Sequence, residues 1–111
     1  MKVNELTQYP EFTCVNESAL SDKEIECGYV GDLLSWVMGN ADAGCAWVTI
    51  QTHVNIVAVA VLVEMSCIII PELAELEEET VVKATEEGIP IFQTPKNAFE
   101  ICAWLGAQGI K

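Results

Sequence analysis

Val54-Asn55-Ile56-Val57-Ala58-Val59-Ala60-Val61-Leu62-Val63-Glu64-Met65-Ser66-Cys67-Ile68-Ile69-Ile70 is the stretch on which the fold turns. Read as one element, it is a long apolar run rich in residues that favour strands. It is shorter than a usual membrane span, contains Asn55, Glu64 and Ser66, and has no flanking Lys or Arg to orient it. Read as two elements, it resolves. Residues 67–70 make an apolar strand ended by Pro71. A parallel strand there needs a crossover before it, so residues 54–62 read as a helix buried on all sides.

The same alternation extends in both directions. Downstream, 76–87 reads as a helix with Glu77, Glu78 and Glu79 at its start, where they complement the dipole, and with Gly88 and Pro90 past its end. Residues 91–93 form a short strand. Thr94 reads as an N-cap with Pro95 at the first helical position, and Ala98, Ile101, Cys102 and Leu105 make the apolar stripe that follows. Upstream, 46–50 reads as a strand. Before it, Gly28 and Gly31 allow unusual backbone angles, Asp32 reads as an N-cap, and Leu33, Leu34, Val37 and Met38 form a helical stripe ended by Gly39. Residues 2–8 predict a short helix, 12–15 a strand, and 23–30 an extended segment with Ile25 and Cys27 on one side. The sum is one α/β domain over 1–111. It has three layers, α/β/α, around a largely parallel or mixed sheet of four to five strands.

Composition narrows the function. The 111 residues suffice for one core, burying roughly two-thirds of the unfolded surface. Seventeen acidic residues face five lysines and no arginine, a net charge of −12. Nucleic acid needs cations to replace its counterions, so it is excluded as a partner. No secretory signal opens the chain and no membrane anchor is expected, which predicts a cytoplasmic protein. Cys14, Cys27, Cys45, Cys67 and Cys102 show no close spacing, so they read as reduced, packed thiols, and no metal or cofactor is expected. A cluster assembled from dispersed cysteines stands as an alternative.

No phosphate-binding G-x-x-x-x-G-K-[ST] loop occurs, which removes a kinase reading. His53 is the single histidine, so any nucleophilic triad needs it, with Asp32 and Cys45 as imaginable partners. Its bland alternative is a local hydrogen bond in a strand-to-helix loop. In open α/β sheets, ligands lie beyond the carboxyl ends of parallel strands. Three junctions there carry polar groups, and the candidate binding residues are Gly28, Tyr29, Gly31, Asp32, Gln51, His53, Asn55 and Thr94. Asn55 heads an otherwise apolar helix, where an amide must be satisfied. Capping accounts for Asn55 as well as binding does, and it is the leading reading for Asp32 and Thr94. Trp36 and Trp47 read as core residues, and Tyr29 as an aromatic at the junction.

Three stretches together, 28–38, 46–55 and 87–95, resemble the DRTGG domain family, with Gly88-Ile89-Pro90 and Thr94-Pro95 in the last. The likeness runs from Lys23 onward. It points to the small stand-alone members encoded beside iron-only hydrogenase genes in anaerobes. Where the family has its D-R-T-G-G motif, this chain has Asp22-Lys23 and then Glu26-Cys27-Gly28. The resemblance implies a fold like the N-terminal domains of HPr kinase/phosphorylase and MurF. It also implies a non-catalytic regulatory or accessory ligand-binding role, a homodimer, and a small molecule or redox protein as partner. A protein-interaction module using the acidic surface is the rival reading.

Overall fold

Alternation along each strand decides which residues meet which helices. The computed structural model describes residues 1–111. Its strands are β1 (Thr13–Cys14), β2 (Cys27–Val30), β3 (Cys45–Val48), β4 (Cys67–Ile70) and β5 (Ile91–Gln93). They form one sheet in the order β1-β5-β4-β3-β2. β2 to β5 run parallel, with Ala46 opposite Cys67 and Ile68 opposite Ile91, while β1 pairs antiparallel with β5. Helices α1 (Leu34–Asn40), α2 (Asn55–Val63) and α3 (Glu78–Glu87) are the crossovers between successive parallel strands. Each strand neighbours the next, so right-handed connections place all three helices on one face. Helix α4 (Ala98–Ala107) and the 3-10 turn Val3–Gln8 cover the other. The sheet is thus a mixed one of five strands in a three-layer α/β/α fold.

Cys45, Trp47, Ile68, Ile70 and Ile91 point at α1–α3 and pack with Val37, Ile56, Val57 and Ala84. Ala46, Val48, Cys67, Ile69 and Phe92 point the other way, against Ile101, Leu105, Val3 and Leu6. Tyr9 and Phe12 meet the Trp104 ring at 4.9 and 4.8 Å, which closes this second layer. α3 ends at Gly88, in the left-handed region at φ 71°.

Four details depart from the sequence reading. Helix α2 is not buried on all sides: Ile56, Val57, Val59 and Ala60 face the sheet, while Ala58, Val61 and Leu62 face out. Only three helices share that face, so nothing covers the middle one. In α1, Val37 alone is fully buried, and Leu33, Trp36 and Met38 are exposed, because a seven-residue helix at the sheet edge has one neighbour to pack on. In α4, Cys102 is exposed and Trp104 takes the packing position. Ile25 and Cys27 serve opposite layers, since regular alternation begins only at Cys27.

Candidate functional site

The carboxyl ends of β2 to β5 form one edge of the domain, and its polar groups bind chiefly one another. Asp32 is not the cap of α1. Leu33 holds that position, without a side-chain hydrogen bond. The Asp32 carboxylate instead reaches to the residues just past β3, where Oδ1 accepts from the Thr49 hydroxyl at 2.8 Å and the Ile50 N–H at 2.9 Å. The sheet ladder ends there, so these donors have no backbone partner and a carboxylate takes both. Gln51 Nε2 donates to the Asp32 carbonyl at 3.0 Å, and the Gln51 N–H to Thr49 Oγ1 at 3.2 Å. The Gly31 carbonyl accepts from the buried Trp47 indole at 2.9 Å. A Cβ on Gly31 would lie 3.3 Å from the Tyr29 ring and 3.4 Å from Val37, so the glycine permits that approach.

His53 is exposed, and its Nδ1 accepts the Asn55 N–H at 3.1 Å at the head of α2. This is a local bond within the β3–α2 loop. Asn55 is exposed with its amide turned to solvent, so the cost of burying it does not arise. Thr94 is buried and is not a helix cap. Asn97 caps α4 in a capping box: Oδ1 accepts the Glu100 N–H at 2.8 Å, and Glu100 Oε1 accepts the Asn97 N–H at 3.0 Å. That reciprocal pair sets the helix start past Pro95. Thr94 instead joins β5 to the 3-10 turn Pro71–Leu73, its carbonyl accepting the Leu73 N–H at 3.0 Å.

The eight candidates therefore do not share one cavity. Asp32 follows β2 and Thr94 follows β5, three strand spacings or roughly 14 Å apart. Gly28 and Tyr29, on opposite faces of β2, border a small apolar dent of about 150 Å³ closed by Leu105 and Ile110. A Cβ at Gly28 would meet only ordinary contacts, at 3.8 Å or more. A triad of Cys45, His53 and Asp32 is not assembled. Cys45 begins β3 and His53 follows its end, while Asp32 is held by Thr49 and Ile50.

Buried polar residues that sequence reading passed over brace both ends of the sheet, Thr80 at this edge and Asn16 at the opposite one, where β5 begins. Thr80 Oγ1 donates to the Thr52 carbonyl at 2.7 Å, tying the loop before α2 to α3. Asn16 donates to the Ile89 carbonyl at 2.8 Å and accepts the Ile91 N–H at 2.9 Å. No buried side-chain polar atom is left without a partner. The five thiols are unpaired, and desolvation raises every one: Cys45 to about 12, with Cys67 also pushed up inside the sheet. They are poor nucleophiles at neutral pH. No three His, Cys, Asp or Glu side chains are grouped to hold a metal ion. No helix is long and apolar enough to cross a membrane.

The principal concavity lies beside this edge, between α2 and α3. It encloses about 660 Å³, in the range of small-molecule and peptide-anchor sites. Val54, Val57, Ala58, Val61 and Leu62 form its floor, and Glu79, Lys83 and Glu87 its wall, with Asn55 at one end. Lys83 Nζ is 3.4 Å from Glu87, one turn on. Among the candidate residues read from sequence, Asn55 alone lines it.

No protein-family model matches the chain, and no curated protein matches it. A solved structure does: the CBS and DRTGG domains of the regulatory region of Clostridium perfringens pyrophosphatase, complexed with the activator diadenosine tetraphosphate. The match has a TM-score of 0.67 at 13% identity, over 92% of this chain and 44% of that one. Identity this low establishes the shared fold, and this chain spans under half of that structure.

Proposed function

We propose that the domain is a cytoplasmic regulatory or accessory binding module without catalytic action of its own, and that its working surface is the α2–α3 groove. One observation carries the reading. Asp32, Thr49, Gln51 and Thr80 at the strand ends are committed to holding those ends together, whereas the groove is open, apolar and bounded by charge. Likeness to a regulatory region supports the same direction. That region's activator carries phosphates. Here the groove offers one lysine, already paired, beside two glutamates. A neutral or cationic occupant is therefore expected in place of a polyphosphate.

The resemblance to small DRTGG proteins adds two finer elements, service to an iron-only hydrogenase or related redox system in an anaerobe, and a homodimer. A second reading, capture of a small molecule at the head of α2, rests on His53 Nε2 and the Asn55 amide, neither used by the fold. Backbone-amide NMR tests these readings against diadenosine tetraphosphate, neutral and cationic heterocycles, and basic peptides. The expected result is perturbation confined to residues 54–62 and 79–87, caused by neutral or cationic molecules. Perturbation centred on Asp32 to Gln51, or caused by the polyphosphate alone, would overturn the proposed surface.

A further inference from the structure

The outward side of α2 presents Val54, Ala58, Val61 and Leu62, at steps of four, three and one. That is the stripe a helix uses to pack against another helix, with Val61 42% and Leu62 69% exposed. α3 stands alongside, so the two make the two-sided groove into which a third helix fits, ridges into grooves. The nine residues of α2 span about 13.5 Å, long enough for two to three turns of a docked helix.

Charge selects the occupant. Residues 64–87 hold eight glutamates (Glu64, Glu72, Glu75, Glu77, Glu78, Glu79, Glu86 and Glu87) against one lysine, Lys83, and Lys83 is tied to Glu87. With Lys83 tied to Glu87, the wall keeps Glu79 as a carboxylate with no internal partner, and Glu78 and Glu86 flank it along α3. A second copy seated in this groove through its own α2–α3 face would bring glutamate-bearing walls together. A neutral helix would cover the floor and leave the wall unpaired. A basic amphipathic helix satisfies both, the apolar-anchor mode of helix-in-groove recognition with steering from the rim.

We infer that the α2–α3 groove seats a basic amphipathic helix of another protein, its apolar stripe on Val61 and Leu62 and its cations against Glu79 and the glutamates flanking α3. This rests on the groove being the working surface, and it names the partner by chemistry.

The test uses a synthetic helical peptide of about four turns, with leucines at helical spacing and lysines elsewhere. One control carries glutamates for the lysines, and another has the lysine sequence scrambled to destroy the stripe. Calorimetry on the intact domain should show binding of the lysine peptide alone, weakening as salt rises. Leu62→Glu adds negative charge yet should weaken binding about tenfold or more, because the anchor's seat is lost. Glu79→Gln with Glu87→Gln should weaken it several-fold and flatten the salt dependence. All three positions are exposed, and circular dichroism checks folding.

Equal binding of the scrambled peptide, or unchanged binding by the Leu62→Glu variant, overturns the inference as non-specific charge attraction. So does self-association of the free domain that Leu62→Glu abolishes, since a second copy then occupies the groove. If heterocycles perturb the groove but no peptide binds, the partner assignment falls and the working surface stands. If nothing perturbs residues 54–62, both fall.

Discussion

Replacing Asp32 distinguishes a brace from a helix cap or ligand group. Its carboxylate accepts two hydrogen bonds, from the buried Thr49 hydroxyl and from the exposed Ile50 N–H. Water replaces the second partner readily. The first is charge-assisted and part-buried, and Asp32 itself is exposed, so the low end of the range applies, about 1–1.5 kcal/mol. Leaving the Thr49 hydroxyl without an acceptor adds about 1 kcal/mol. Asp32→Ala should therefore cost about 2 kcal/mol. Asp32→Asn keeps an acceptor oxygen and should cost under about 1 kcal/mol. A cap would show a similar order, so the decisive measurement is a double-mutant cycle with Thr49→Val. The brace requires about 1 kcal/mol of coupling, seen in urea unfolding midpoints at constant m-value. Additive effects would refute the brace, as would an Asp32→Ala variant as stable as the parent.

Four further outcomes are expected. Asn16→Ala leaves the Ile89 carbonyl and the Ile91 N–H unpaired in a buried place, and should cost about 3 kcal/mol in the same unfolding assay. Gly44→Ala places a Cβ against the Glu26 carboxylate at φ 81° and should lower stability by at least about 1 kcal/mol; an unchanged melting temperature would contradict this backbone. Glu64 ends α2 in the left-handed region at φ 63°, so Glu64→Gly should raise stability by about 0.5–1 kcal/mol. The thiols give the pH dependence. Folding raises them, to about 12 for Cys45, so the folded state favours the protonated form. Stability should hold below about pH 8.5, the free-thiol value, and decline as pH rises through the alkaline range toward about 12. Replacing Cys45 with Ala should reduce that alkaline slope, and an unchanged slope would contradict the thiol assignment.

The fold was legible where one residue type has one physical use. Pro71 ends β4, Gly88 ends α3, and the four apolar residues 67–70 fit only a central strand. Splitting 54–70 into helix and strand was sound for the same reason, since parallel neighbours require a crossover. Exposure was less legible. Apolarity around α2 suggests burial on every side, yet whether a fourth element covers Val61 and Leu62 is a property of topology. The capping roles were less legible, because Asp and Thr before a helix look alike whether they cap it or bind elsewhere. Asp32 prefers donors just past β3, 17 and 18 residues away, and Thr94 was displaced as a cap by the Asn97–Glu100 pair. Asn97 with Glu100 three residues on was the available signal. No local signal announces Thr80 or Asn16, whose partners lie 28 and more than 70 residues away.

The clamp at Asn16 also orders events in time. β1 has one neighbour, β5, and Asn16 joins it to Ile89 and Ile91 across 73 and 75 residues of chain. The run from β2 to β5 assembles from successive neighbours, each closing a short loop, whereas β1 has no strand to pair with until β5 exists. The first strand of this sequence is thus the last to be paired. Substitutions at Asn16 should accelerate unfolding and leave the refolding rate nearly unchanged. Release of β1 and Asn16 from β5 is then expected as an early local opening, read as faster amide exchange at Val15 and Ile91 than in the central strands.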